Sequence, residues 1–394
     1  MRILKRKIVF IPLILLLLAA GWYWYSKRDV MPRYQLEKLY INIDDEGFEK
    51  LEGFRDAAID LGYLERSPDD YVKSEIIYRS RVMDGKVRLK GDWTDHLLSG
   101  KWSFRIKLKD PMADGLKTFS VQEPSTRGHL KGHMFHQLLK QEGILSNEFR
   151  FVNLFVNGSS WGVYSLEEHL SSRVIKSQNR PDGLILKYDD QDFFEAFTNE
   201  TETIGLIKDA EIKVYGAAKD DKKYKKELKM AKQIVQDYQF QTDSMYNHFD
   251  AEKMGMYYAL CDLAAAYHSM GWINIRFYYN FETNKMEPFG YDGYPIMEWG
   301  KPYLGHNAET YKADKFDVKM MVYTALQIKA IKEAYDKALQ KVTDPKYVQT
   351  FMDKHKVELD FYHSQLNLDN GNYDFYEDFL KDNAAAVQEA LHSQ

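Results

Sequence analysis

The chain has 394 residues, 44% of them hydrophobic and 14% aromatic, enough for one large core or two lobes and too much for long disorder. Its formal charge of −5 hides an asymmetry: six of the 54 Lys and Arg residues precede Asp29, so the remainder carries 48 cations against 59 carboxylates, a net of −11. A surface that acidic argues against duplex nucleic acid as a partner but leaves room for a local basic pocket. The lone Cys261 excludes an internal disulfide; in its apolar stretch it reads as a buried thiol, or as one free to pair with another chain. No Cys/His spacing matches structural zinc.

Residues 8–25 form an uncharged run of 18, enough to cross about 30 Å of hydrocarbon. Arg2, Lys5, Arg6 and Lys7 precede it, and Trp22, Tyr23, Trp24 and Tyr25 close it with an aromatic girdle. The predicted arrangement is a cytoplasmic stub and signal-anchor over residues 1–28, with residues 34–394 outside the cell membrane. Cleavage after Ala20 or Gly21 is the alternative to an uncleaved anchor.

Beyond the anchor, Leu39, Ile41 and Ile43 alternate with polar partners and predict a strand, followed by a helix carrying Phe48, Leu51 and Phe54. Residues 87–90 and 102–108 alternate as strands with one buried face. Residues 130–142 predict an amphipathic helix stopped by Gly143. Strands at 149–156 and 162–166 flank an Asn157-Gly158 hairpin turn. A charged helix over 221–238 and an apolar one from Asp250 to about residue 267 come next. A hairpin over 275–291 ends on Asp292, and residues 317–392 read as three helices. A strand-rich half followed by a helical half implies two lobes with a ligand cleft between them.

Four cations lie on two of those strands. Arg88 and Lys90 share one face of theirs, as do Arg105 and Lys107, because side chains repeat every two residues. Together they could hold a polyphosphate, or form a solvated sheet face. Glu167 and Glu168 end another strand, where Glu168 could pair with one of the lysines. Asn274, in a loop after a helix, and Asp292, at a hairpin end, offer oxygen ligands suited to a hard cation, though both types also form turns. Gly158-Ser-Ser-Trp-Gly162 has the Gly-x-Ser-x-Gly spacing but follows a hairpin turn rather than forming a strand-to-helix elbow, and His-Glu-x-x-His is missing, so a hydrolase has weak support.

The segments Val87-Arg-Leu-Lys-Gly-Asp92, Trp102-Ser-Phe-Arg-Ile-Lys107, Asn157-Gly158, Gly162-Val-Tyr-Ser-Leu-Glu-Glu168, Asn274-Ile-Arg-Phe-Tyr-Tyr279 and Pro288-Phe-Gly-Tyr-Asp292 fall in the order seen in CotH-like spore-coat kinases. The resemblance covers roughly residues 36–300. It implies an α+β, atypical protein-kinase-like domain with a strand-rich lobe over 34–190 and a helical lobe over 191–394. Such a domain would use ATP with Mg²⁺ or Mn²⁺ to phosphorylate Ser or Thr of exported or envelope proteins. Asp292 and Asn274 would bind the metal, Lys90 or Lys107 with Arg88 and Arg105 the phosphates, and Glu168 would orient the lysine.

One position departs from the family pattern. The proton-accepting Asp, about five residues before the Asn, is replaced by Ser269, whose hydroxyl is neutral and holds its proton at pH 7. The neighbouring His268 has a suitable intrinsic pKa to substitute, or is a helix-end His stabilised by the dipole. A second reading follows: a pseudokinase that binds an exported protein or a surface polymer and helps assemble the envelope. Aromatic residues over 290–303 would then stack on a glycan, or simply fill a core.

Overall fold

The alternation at residues 39–43 becomes strand β1 (Lys38–Asn42). Asp44 then accepts a hydrogen bond from Gly47 N at 2.8 Å and starts helix α1 (Asp45–Leu61), which ends on a left-handed Gly62. The structure, a computed structural model, describes residues 35–67, 69–199, 209–240, 247–294, 325–371, 373 and 378–392. The apolar run at 8–25 lies outside these. Among the described residues, no helix is long and apolar enough to cross a membrane.

Strands β2 (Val72–Tyr78), β3 (Arg81–Leu89), β4 (Phe104–Leu108), β5 (Thr118–Gln122), β7 (Phe149–Val156) and β8 (Ser159–Glu168) close with β1 into a barrel. Its order is β1-β2-β3-β4-β5-β8-β7, with β1 parallel to β7. Closure removes the exposed edges. The alternating apolar residues expected for 87–90 and 102–108 point inward: Val87, Leu89, Phe104 and Ile106 are at most 2% exposed and pack with Leu39, Val121 and Leu166. Asn157 and Gly158 both take positive φ in the β7–β8 turn, as an Asn-Gly hairpin requires.

A second sheet has the order β10-β9-β11-β12-β6, built from β6 (Leu145–Ser146), β9 (Gly183–Tyr188), β10 (Ile212–Tyr215), β11 (Arg276–Asn280) and β12 (Lys285–Gly290). A chain boundary at 190/191 thus falls between β9 and β10, which pair with each other. The helices are α2 (Leu130–Gln141), α3 (Ser172–Ser177), α4 (Gln191–Thr198), α5 (Lys225–Phe240), α6 (Ala251–Leu263), α7 (Lys329–Val342), α8 (Pro345–Asn370) and α9 (Phe379–His392). The result is a mixed α+β protein, strand-rich first and helical later.

Helix α6 starts at its Asp250 cap as expected but stops at Leu263 rather than near 267. Ala265 turns left-handed, and a short 3-10 turn covers Tyr267–Met270. The apolar run continues past the helix because Ala264, Ala265 and Ala266 are buried, so hydrophobicity there reports core rather than helix. Cys261 is buried in α6 and has no exposure, and burial pushes its thiol far up from its ordinary value.

His136 of α2 is 1% exposed, stacks on Phe149 at 5.2 Å and is pushed down to about 3, mainly by burial. The native state therefore refuses a proton that the unfolded chain accepts below pH ~6.5. Stability from this group is fully present above that value and falls by about 1.4 kcal/mol per pH unit as pH drops toward 3. Urea unfolding between pH 7 and 5 should show this slope, and His136→Phe should flatten it.

Candidate functional site

A cleft of about 630 Å³ opens between the outer face of the barrel and the second sheet. Register decides which residues reach it. Arg88 of β3 lies directly opposite Arg105 of β4, which lies opposite Ser120 of β5, which lies opposite Glu167 of β8. Directly opposed residues share a face, so this row sits on the outer side. Across the cleft, Lys187 of β9 opposes Arg276 of β11. Opposed like charges cost a sheet stability. The cleft has two such pairs.

Among the described residues, seven cations line the cleft (Arg66, Arg88, Lys90, Arg105, Arg127, Lys187 and Arg276) against the four carboxylates Asp92, Asp95, Asp190 and Asp292. Arg66 pairs with Asp92 and Asp190, Lys187 with Asp190 at 2.9 Å, and Arg127 with Asp292 at 3.4 Å. Arg88, Lys90, Arg105 and Arg276 make no ion pair among the described residues, and the buried Nε atoms of Arg105 and Arg276 have no hydrogen-bond partner. Burial, then the charges of Arg127 and Arg105, hold the Lys90 ammonium well below its ordinary value. An anion among these groups would relieve both penalties.

The chain shapes this end of the barrel closely. Gly91 takes φ of +123°, and a Cβ there would meet His96 Cβ at 2.4 Å, so the Lys90-Gly91-Asp92 turn folds tightly over His96. Arg127 ends a 3-10 turn, Pro124–Arg127, just before α2. A Cβ on Gly132 would lie 2.1 Å from the Arg127 carbonyl oxygen. Gly132→Ala is therefore expected to displace the Arg127 turn and cost about 2–3 kcal/mol in urea unfolding.

Asp292 follows β12 with a left-handed φ of 48° and is 4% exposed. Its Oδ2 lies 3.4 Å from both Arg127 Nη1 and His268 Nδ1, while Oδ1 is buried without a partner among the described residues. Burial raises its pKa, but Arg127 and His268 outweigh this and hold the carboxyl well below the usual range. Asn274 Nδ2 donates to the His268 carbonyl at 3.1 Å and lies 3.1 Å from His268 Nδ1. His268, Asn274 and Asp292 thus form one contiguous group.

A divalent metal fits this donor set. Among the described residues Asp292 Oδ1 has no partner, and Asn274, its amide nitrogen engaged by His268, has its oxygen left to offer. Among the described residues no group of three His, Cys, Asp or Glu is placed to hold a metal. One carboxylate with one amide oxygen is a donor set that Mg²⁺ could complete with substrate phosphates and water.

Of the residues singled out from sequence, Arg88, Lys90, Arg105, His268, Asn274 and Asp292 line the cleft. Three do not. Lys107 shares the outer face with Arg105 but lies one pleat further along, where it is exposed and lines a separate depression. Ser269 has no exposure; its Oγ donates to the Ala266 carbonyl at 2.6 Å and accepts from Tyr257 at 3.1 Å. Glu168 lies opposite Phe119, on the other face from Arg88 and Arg105, and binds Arg173 at 2.8 Å. Glu167 is the carboxylate on the cationic face: it accepts from Gln122 at 2.9 Å and lies 3.7 Å from Arg127. A shift of one residue reverses which face a side chain occupies.

Sequence reasoning missed Arg127, Lys187, Arg276, Arg66 and Asp190. Arg276 stands within the quoted Asn274-Ile-Arg segment, and its guanidinium lies 4.5 Å from the Tyr291 ring. The Pro124-to-Gly128 turn ahead of an amphipathic helix was the available signal for Arg127.

Fold and site together define an α+β protein with a cationic cleft that carries a hard-cation donor set at one end. The CotH kinase protein family model matches residues 87–379, most of the chain, and the protein belongs to that family. No curated protein matches it.

Proposed function

We propose that this chain is a membrane-anchored, exported protein kinase that transfers phosphate from ATP to Ser or Thr of exported or envelope proteins. The observation that carries the reading is the set of four cations without ion pairs among the described residues, with an Asp292 whose Oδ1 has no partner among them either. Family membership supports kinase-like chemistry and, with it, ATP and a divalent metal. The run at residues 8–25, with its flanking charges, supports the anchor and an extracytoplasmic domain. On this reading the barrel is the nucleotide-holding lobe of an atypical kinase-like fold, and the helical remainder is the second lobe.

Arg88, Lys90, Arg105 and Arg276 would bind and orient the phosphates, and Arg127 would fix Asp292. Asp292 and Asn274 would hold Mg²⁺ or Mn²⁺, whose chemistry there is to neutralise charge on the transferred group. His268, half-exposed in the cleft beside Asp292, would take the acceptor hydroxyl's proton.

The burial of Ser269 favours a second reading. With no carboxylate at the family's proton-accepting position, the cleft would bind nucleotide or a polymer without turnover, as a pseudokinase in envelope assembly. Incubating the full-length protein in detergent with radiolabelled ATP, Mn²⁺ and a Ser/Thr-rich protein separates the two. Label in the acceptor, lost in His268→Gln, supports the kinase; nucleotide binding without label leaves the pseudokinase.

A further inference from the structure

A second depression of about 820 Å³ lies on the same outer barrel face and is lined by Lys73, Lys86, Lys107, Lys109 and Lys117. Lys73 of β2 lies directly opposite Lys86 of β3, and Lys86 directly opposite Lys107 of β4. Three cations in one cross-strand row repel one another, an arrangement a sheet does not adopt for stability. Asp44, Glu75 and Asp84 line the same depression, yet none of the five lysines is ion-paired among the described residues. The row is continuous with the cleft: Tyr71 lines the cleft, with Lys86 Nζ 4.6 Å and the Arg88 guanidinium 5.6 Å from its ring.

Resting on the kinase reading, we propose that this lysine row docks an acidic stretch of the acceptor protein, whose hydroxyl residue enters the cleft past Tyr71. The rest of the ectodomain is acidic, so a basic stripe is where a negatively charged segment would concentrate. The interspersed Asp44, Glu75 and Asp84 disfavour a continuous polyanion such as nucleic acid. Separate Asp and Glu side chains can meet the lysines individually. The surface is concave, which suits a peptide strand better than a flat bilayer.

The test is fluorescence anisotropy on the full-length protein in detergent, with two labelled peptides that share a central Ser. One peptide has Asp/Glu flanks and the other Asn/Gln flanks. The acidic peptide should bind at least 10-fold more tightly and weaken steeply between 50 and 500 mM salt. Lys73→Gln/Lys86→Gln/Lys109→Gln should erase the preference while its own melting midpoint stays near wild type. Equal binding of the two peptides, or a preference that survives the triple substitution, would overturn the docking role. Because anisotropy needs no turnover, wild-type protein that binds the acidic peptide but is not stabilised by Mg-ATP would refute the kinase reading alone. Stabilisation by Mg-ATP without peptide preference would refute the docking surface alone.

Discussion

Asp292→Asn is expected to abolish the metal-dependent part of nucleotide binding and to lower phosphate transfer at least ~100-fold, about 2.7 kcal/mol of transition-state stabilisation. The substitution keeps the shape and removes the charge. In the wild type, Oδ2 is occupied by Arg127 and His268, each at 3.4 Å, and Oδ1, without a partner among the described residues, is the atom a metal would take. An amide is a weaker ligand for a hard cation, and it cannot neutralise Arg127. Titration calorimetry with ATP at fixed Mg²⁺, then with EDTA, reads the effect: the wild type should lose affinity on chelation and the variant should not respond. Equal metal dependence in both proteins would remove Asp292 from the site.

Arg127→Met should produce the largest loss of stability of any cleft substitution. Arg127 is 6% exposed and lies between Glu167 and Asp292, at 3.7 and 3.4 Å. Removing it leaves two buried carboxylates without their cation, a cost of about 3–5 kcal/mol near neutral pH. The pH dependence carries a sign. In the wild type the Asp292 carboxyl is held below its unfolded value, so its contribution is present above about pH 4 and is lost as pH falls through the native value. In the variant the largest influence lowering the Asp292 carboxyl is gone, so its native value moves up toward the unfolded one, with His268 and Lys90 still holding it down. The variant therefore has less carboxylate stabilisation to lose at low pH. The stability gap between variant and wild type should shrink as pH falls from 5 to 3 in urea unfolding. A constant gap would mean that Arg127 acts by packing alone.

Much of this was legible in the sequence, and what was hidden has physical reasons. Strands with one buried face, such as those carrying Val87 and Ile106, show alternation and were readable. Strand β5 is buried on nearly every residue and β9 is an apolar run, so neither carries a period-2 signal. Site residues on strands β3 and β4 were recoverable because alternation fixes a face. The pairing of Glu168 with one of the lysines is not formed, because Glu168 falls on the face away from Arg88 and Arg105, and register comes from pairing, which the β8 sequence alone does not encode. Arg127, Lys187 and Arg276 come from distant segments that only the fold assembles. The family resemblance, drawn from motifs up to residue 292, extends in the family match through α8 and into α9, to residue 379.

The most direct measurement is a thermal melt of the full-length protein in detergent with ATP alone, Mg²⁺ alone, Mn²⁺ alone and ATP with each metal. Ligands that bind only the native state raise the midpoint by mass action. The cationic cleft and the Asp292 group predict a rise of several degrees that requires nucleotide and metal together. An unchanged midpoint at millimolar Mg-ATP and Mn-ATP would contradict nucleotide binding and leave the cleft to another anion.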